Sequence, residues 1–171
     1  WFDKILTYPG TATPDGPTFV GHVMAARRDR APVHIDVVGW GSSPYDFLVQ
    51  NKVQTVAING ASGTEAKTND GQLAFVNLRA EIIWRMREAL DPNNPNPISL
   101  PKDSELRADL CAPLWRHTPR GVQVESKEEI KKRIGRSPDK GDAVCYALRA
   151  TRKVDERRPV VRPPVASSWM A

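Results

Sequence analysis

The sequence lacks several features that would place it in a common functional class. Its only two cysteines, Cys111 and Cys145, belong to no C-x-x-C pair, which argues against a zinc site and against a disulfide framework. No apolar run approaches the roughly 18 residues needed to cross a bilayer, and no secretory signal pattern opens the chain. Internal repeats are absent. We therefore expect a soluble protein of a reducing compartment, with no membrane partner.

A nucleotide-binding loop is also missing. The polar segment 60–73, GASGTEAKTNDGQL, contains glycines, but it does not match the pattern G-x-x-x-x-G-K-[ST], in which backbone amides cradle the phosphates. We therefore do not expect this chain to hydrolyse ATP.

Length and charge indicate one domain and permit a polyanionic partner. The chain has 171 residues, of which 40% are hydrophobic, enough for a single sizeable core. Its net charge of +5 is compatible with binding to a polyanion. The first residue is Trp1 and not methionine, so we expect a piece of a longer protein. We predict one domain over 1–152 and a flexible Pro/Arg-rich C-terminal tail over 153–171.

The pattern of apolar residues predicts alternating strands and helices. Strands are expected at 1–8, 31–41, 53–59, 114–118 and 121–126. Helices are expected at 18–29, 42–51, 74–90, 102–115, 126–134 and 138–152. A strand, a helix and a second strand joined by short connections predict a parallel pair in an α/β sheet.

The segment before the last helix carries clear local signals. Ser126 with Glu129 three residues later has the pattern of a capping box, and Gly135 is a helix stop signal. Ser137 is the expected N-cap of the last helix, with Pro138 at its first position.

Asp36 follows an apolar strand, where a carboxylate needs a partner. An unpaired buried acid is costly, so Asp36 must face a cation, a metal ion or water. The carboxyl edge of a parallel sheet is where α/β sites usually lie. An ion pair with an arginine, or a cap on the next helix, explains Asp36 equally well. His34, on the same strand face, is more often a hydrogen-bonded core residue than a metal ligand.

Asp139 and Asp142 stand three residues apart at the start of the last predicted helix, so they share one helix face. The helix dipole alone explains an acid at Asp139. Asp142 lies further in, and Gly141 before it costs about 1 kcal/mol relative to alanine, which predicts a close approach to the backbone there. Mg²⁺ and Mn²⁺ prefer oxygen ligands of this kind. Two interpretations of this pair therefore remain open: ordinary acids at a helix start, or half of a metal site.

A basic stretch precedes these two acids. Such a stretch is usually a solvated helix face, but its position makes contact with phosphates the functional alternative. The candidate phosphate-binding residues are Lys127, Lys131, Arg133 and Arg136.

Five segments in order resemble the nuclease domain of the large terminase subunit of tailed bacteriophages. They are HIDVVGWGSSPYDFL, FVNLRAEIIWRMREAL, LPKDSELRADLCAPLW, VQVESKEEIKKRIG and SPDKGDAVCYAL. The resemblance runs over roughly residues 1–150 and implies a ribonuclease H-like α/β fold, in which a mixed β-sheet is flanked by helices.

The resemblance also implies an activity. It is that of a metal-dependent endodeoxyribonuclease, which cuts concatemeric double-stranded viral DNA by two-metal hydrolysis with Mg²⁺ or Mn²⁺. Matched by motif, Asp36 is the strand carboxylate, Asp142 is the carboxylate of the last helix, and Asp139 is an additional metal-binding side chain. Asp46 also belongs to the motif, but we interpret it as structural.

The resemblance further implies the partners. They are double-stranded viral DNA, held by the four basic residues named above, the portal protein and the small terminase subunit. The place would be the cytoplasm of the infected bacterial host.

One part of the family pattern is not found in this chain. The family has a further catalytic aspartate on the first strand of the sheet, in a segment that should precede Trp1, and Asp3 does not take that role. The first strand is thus expected to be missing, which would weaken metal binding. The alternative function is therefore a catalytically silent DNA- or portal-binding fragment of the packaging motor. A junction resolvase is disfavoured by the long helix and the ESKEEIKKRIGRSPD block.

Overall fold

The computed structural model describes residues 2–149. Its helices are α1 (Gly16–Ala26), α2 (Ser42–Gln50), α3 (Leu78–Ala89), α4 (Ser104–Cys111), α5 (Lys127–Ile134) and α6 (Asp139–Leu148). Its strands are β1 (Val33–Asp36), β2 (Thr55–Ile58), β3 (Trp115–Thr118) and β4 (Gly121–Val124). The predicted tail, 153–171, and the predicted end of the last helix lie outside the described residues.

The strands form two small sheets. β1 pairs in parallel with β2, with Val33 opposite Thr55 and Asp36 opposite Ile58, and α2 makes the connection. β3 and β4 form the antiparallel hairpin expected around Pro119–Gly121. The predicted parallel pair, the hairpin and the α/β class are therefore confirmed.

The prediction of a strand at residues 1–8 is wrong. Residues 2–9 form no regular element. The amide of Phe2 donates to the carbonyl of Ser99 (2.9 Å), and Phe2 and Ile5 pack against the core. An alternating apolar pattern needs a partner strand to form a ladder, and the described residues supply only this contact.

Two apolar clusters lie on either side of the β1–β2 pair. One joins α1, β1 and α2 through Val20, Ile35 and Leu48. The other, with Ile58 and Met86 among its members, joins β2, α3, α4 and α6. α3 contributes residues at helical spacing to this second cluster, and α6 packs against α3 and α4. None of the helices within 2–149 has the length and apolar character needed to span a membrane.

Candidate functional site

The carboxylate of Asp36 lies at the carboxyl end of β1. Its Oδ1 accepts a hydrogen bond from the Val38 amide (3.0 Å), and its Oδ2 accepts one from the Tyr146 hydroxyl of α6 (3.2 Å). α2 begins after Gly41 without a side-chain cap, so Asp36 does not cap that helix. A β-carbon at Gly41 would lie 1.5 Å from the Asp36 carbonyl oxygen, so the turn after Asp36 requires glycine. Among residues 2–149, neither structural explanation of Asp36, an arginine partner or a cap on α2, matches these contacts.

The carboxylate of Asp142 is buried in the first turn of α6, with 6% of the residue exposed. Its Oδ1 accepts a hydrogen bond from Nη1 of Arg79 on α3 (3.1 Å). Its Oδ2 lies 3.2 Å from Lys127 Nζ, but within residues 2–149 it accepts no hydrogen bond. A buried acid of this kind is tolerated because two cations balance its charge.

Lys127, the first residue of α5, bridges the two acids of α6. Its Nζ lies 2.9 Å from Asp139 Oδ1 as well as 3.2 Å from Asp142 Oδ2. Although burial alone would lower it, the pKa of Lys127 is raised, because both carboxylates stabilise the ammonium. Burial would likewise raise the pKa of Asp139, but hydrogen bonds from Ser137 and Lys127 lower it. The ammonium group of Lys127 therefore lies between these two carboxylates.

All three predicted acids face one cleft. The cleft has a volume of about 880 Å³ and is lined by Asp36, Asp139 and Asp142, together with Lys127 and Tyr146. Its apolar walls come from α1, the turn after β1 and the start of α2. The α/β topology thus brings together residues that are more than a hundred positions apart in the chain.

Two residues of this site were missed from the sequence. Arg79 looked like one member of the polar face of α3, and nothing local distinguishes it from the other arginines of that helix. Tyr146 lies four residues after Asp142, on the same helix face, which was an available signal. Burial raises the pKa of Tyr146, as do the charges of Asp142 and Asp36, so its hydroxyl remains a hydrogen-bond donor at neutral pH.

His34 ties β1 to α6. Its Nδ1 lies 2.5 Å from the backbone carbonyl of Tyr146, and because a carbonyl oxygen can only accept, Nδ1 is the donor. This is the expected hydrogen-bonded histidine. Asp46 lies on an exposed part of α2 and does not line the cleft.

The four basic candidates do not form one free surface. Arg133 pairs with Glu125 (2.6 Å), and Arg136 pairs with the buried Asp109. Lys127 is held by the acids of α6, as described above. Of the four candidates, only Lys131 is exposed without such a role among the described residues. Part of the predicted basic stretch therefore stabilises the fold.

The site offers suitable donors for a divalent cation but not a closed set of ligands. Within residues 2–149, no group of three or more His, Cys, Asp or Glu side chains is arranged to hold a metal ion. The donors that are present are carboxylate oxygens, which Mg²⁺ and Mn²⁺ prefer, and Asp142 Oδ2 is buried without a hydrogen bond. The donor chemistry therefore fits such an ion, provided that further ligands join it.

Comparison with known proteins shows a structural similarity. No protein-family model and no curated protein matches the sequence. Among solved structures, the chain is similar to the nuclease domain of the large terminase subunit gp2 of bacterial virus Sf6, with a TM-score of 0.61 and 17% identity. The match covers 77% of this chain and 69% of that chain.

The chain therefore has a fold similar to that of this nuclease domain. The predicted ribonuclease H-like α/β class is confirmed, although the strands within residues 2–149 form one small parallel sheet and one small antiparallel sheet, both flanked by helices, where a mixed β-sheet was expected. In this chain, the terminase nuclease fold places the end of β1 beside the start of α6, at the cleft that holds Asp36 and Asp142.

Proposed function

We propose that this chain is the nuclease domain of the large subunit of a viral DNA-packaging terminase. It would cut concatemeric double-stranded DNA as a metal-dependent endonuclease. The observation that supports this most strongly is the convergence of Asp36 from β1 with Asp139 and Asp142 from α6 on one cleft, in a chain with the terminase nuclease fold.

Asp36, Asp139 and Asp142 would hold two divalent cations, either Mg²⁺ or Mn²⁺. Water, phosphate oxygens of the DNA and a carboxylate from a segment before Trp1 would supply the remaining ligands. When bound, such ions activate a water molecule and stabilise the leaving 3′ oxygen of the phosphodiester.

The other residues of the site prepare these carboxylates. Arg79 holds Oδ1 of Asp142 and so orients this carboxylate, whose Oδ2 faces the Lys127 ammonium group. The Tyr146 hydroxyl donates a hydrogen bond to Asp36 and so orients that carboxylate. The Lys127 ammonium balances the charge of Asp139 and Asp142, and beside a bound phosphate it would donate to phosphate oxygens instead.

The partners follow from the same proposal. Double-stranded viral DNA would be the substrate, and Lys131 is the basic candidate best placed to contact its backbone, since its side chain is exposed. The portal protein and the small terminase subunit would be the protein partners. The reaction would take place in the cytoplasm of the infected bacterial host.

The test is nicking of supercoiled plasmid DNA in the presence of Mn²⁺. It should be run on the 171-residue chain and on the longer protein that we expect to contain the first strand of the sheet, which we call the extended chain. Asp36→Ala and Asp142→Ala should each abolish nicking. Asp46→Ala is the matched control, because it removes an exposed aspartate outside the cleft and should leave the rate unchanged.

Circular dichroism must show that all variants are folded. If both cleft variants retained full activity while folded, the proposal would be wrong.

A second candidate is a catalytically silent DNA- or portal-binding fragment of the packaging motor. The absence of a three-ligand group among residues 2–149, with an ammonium between two of the acids, favours it. It predicts salt-dependent DNA binding that needs no metal and leads to no cleavage, even in the extended chain.

A further inference from the structure

The N-terminus of α6 is capped by a neighbouring helix. The helix begins after Pro138, which offers no side-chain cap. Ser137 is the N-cap expected from the sequence, but its hydroxyl donates a hydrogen bond to the Asp139 carboxylate (2.7 Å) instead. The free amides of Lys140 and Gly141 donate to Oδ2 of Asp109 on α4, at 3.1 and 3.2 Å. The prediction of Ser137 as N-cap is therefore wrong, because an acid from another helix satisfies those amides.

Asp109 is an unusual residue for this position. It is 1% exposed, and its Oδ1 forms an ion pair with Nη1 of Arg136, in the loop between α5 and α6. A fully buried acid is retained only where its charge is paired and its oxygens have partners. One carboxylate thus connects α4, the loop before α6 and the first turn of α6.

Gly141 allows this connection. A β-carbon at Gly141 would lie 2.8 Å from Cβ of Asp109 and 3.2 Å from its carbonyl carbon, so only glycine permits α6 to approach α4 this closely. The close approach predicted from the sequence at Gly141 is therefore confirmed. The group that approaches is the helix carrying Asp109.

This contact determines where the acids of the cleft stand. Asp139 and Asp142 flank Lys140 and Gly141, the two residues whose amides Asp109 holds. Any displacement of this turn moves both carboxylates relative to Asp36 on β1. Small errors in such positions are costly, since a misplacement of about 1 Å can reduce a rate by about 100-fold.

We propose that Asp109 is a positioning residue of the site: it sets the start of α6 so that Asp139 and Asp142 face Asp36 across the cleft. The proposal rests on the nuclease function proposed above, because the reaction it serves is that one. Asp109 does not line the cleft, so it acts only through α6.

The decisive variant is Asp109→Asn, which keeps the shape but places an amide where the acid meets Arg136. We expect Mn²⁺ affinity, measured by calorimetry without DNA, to fall about 10-fold or more, as for other residues that orient metal ligands. In the extended chain, kcat for plasmid nicking should fall by a similar factor, whereas KM for DNA should change less than about twofold, because Asp109 does not line the cleft.

A second variant tests rescue. Asp109→Asn combined with Arg136→Gln replaces the ion pair with two amides, so the asparagine oxygen can again accept from Lys140 and Gly141. Mn²⁺ affinity should return most of the way to that of the unmodified chain. The control is Thr68→Ala, which removes a buried hydroxyl and its hydrogen bonds in the polar segment 60–73, away from the cleft, and should cost stability without changing Mn²⁺ affinity.

The outcomes are distinct. If Asp109→Asn kept full Mn²⁺ affinity and kcat, the positioning role would be refuted while the nuclease function stood. If Thr68→Ala weakened Mn²⁺ binding as much as Asp109→Asn at similar loss of stability, Asp109 would be a structural cap only. If the extended chain neither bound Mn²⁺ nor nicked DNA, the proposed function itself would fail, and the positioning role with it.

Discussion

Replacement of Gly141 by alanine should destabilise the protein, although alanine is the better helix former. In a helix interior alanine is favoured by about 1 kcal/mol. Here, however, the added methyl group would lie 2.8 Å from Cβ of Asp109, and the alanine cannot be accommodated without moving α4 or α6. Overpacking of this kind costs about 1–3 kcal/mol.

The obstacle at Gly141 is rigid. The carboxylate of Asp109 is held by the amides of Lys140 and Gly141 and by Arg136, and its backbone carbonyl carbon is close as well. The net change in the free energy of unfolding should therefore lie between about zero and a loss of about 2 kcal/mol, after subtracting the alanine gain of about 1 kcal/mol.

Gly21 provides the matched control. It lies in the middle of α1 and is exposed, and a β-carbon added there would meet no neighbouring atom within 4 Å. Gly21→Ala should therefore stabilise the protein by about 1 kcal/mol, so the two variants should differ by about 1–3 kcal/mol. Urea unfolding followed by tryptophan fluorescence measures both. An equal stabilisation by the two replacements would refute the close contact of α4 and α6.

Two further predictions concern titratable groups. Burial raises the pKa of the Cys145 thiol to about 12, whereas Cys111 is exposed. A thiol reagent at pH 8 should therefore label one cysteine per folded chain and two cysteines per chain unfolded in urea. Rapid labelling of both cysteines in the folded chain would contradict the burial of Cys145. Hydrogen bonds, chiefly from neighbouring side chains and backbone amides, hold the pKa values of several carboxylates below their usual range of about 3.9–4.3. The stability that these carboxylates contribute is therefore complete above about pH 5, and it is lost as the pH falls through their pKa values in the folded protein. These carboxylates are Asp15, Asp70, Asp103, Glu125 and Glu129. The urea midpoint should therefore be lower at pH 3 than at pH 5, and an unchanged midpoint would count against these hydrogen bonds.

Local features of the fold could be predicted because their causes are local. The capping box of Ser126 and Glu129 forms as expected, and Gly135 ends α5 with φ of 78°, a conformation that glycine adopts without strain. The hairpin of β3 and β4 and the parallel pair of β1 and β2 also follow from short connections between apolar segments. In each case the residues that decide the structure lie within a few positions of each other or within one connection.

The failures have the opposite origin. The strand expected over 1–8 has no ladder partner among the described residues, and the cap expected from Ser137 is replaced by Asp109. Arg79 and Asp142 are likewise brought together by packing of α3 against α6. Each of these outcomes depends on a partner that is distant in the chain, and hydrogen bonds and ion pairs form with whichever group the packing brings near.

The sequence by itself determined the α/β class, the presence and approximate positions of the helices, and the acids Asp36, Asp139 and Asp142 as the candidates for a site. It could do so because periodicity, capping residues and motif spacing are properties of the chain. Only the tertiary structure decided that these acids face one cleft, that Lys127 bridges two of them, and that Asp109 holds the helix on which they stand. Those contacts join β1, α4, α5 and α6, and their geometry exists only once the apolar faces of these elements have packed together.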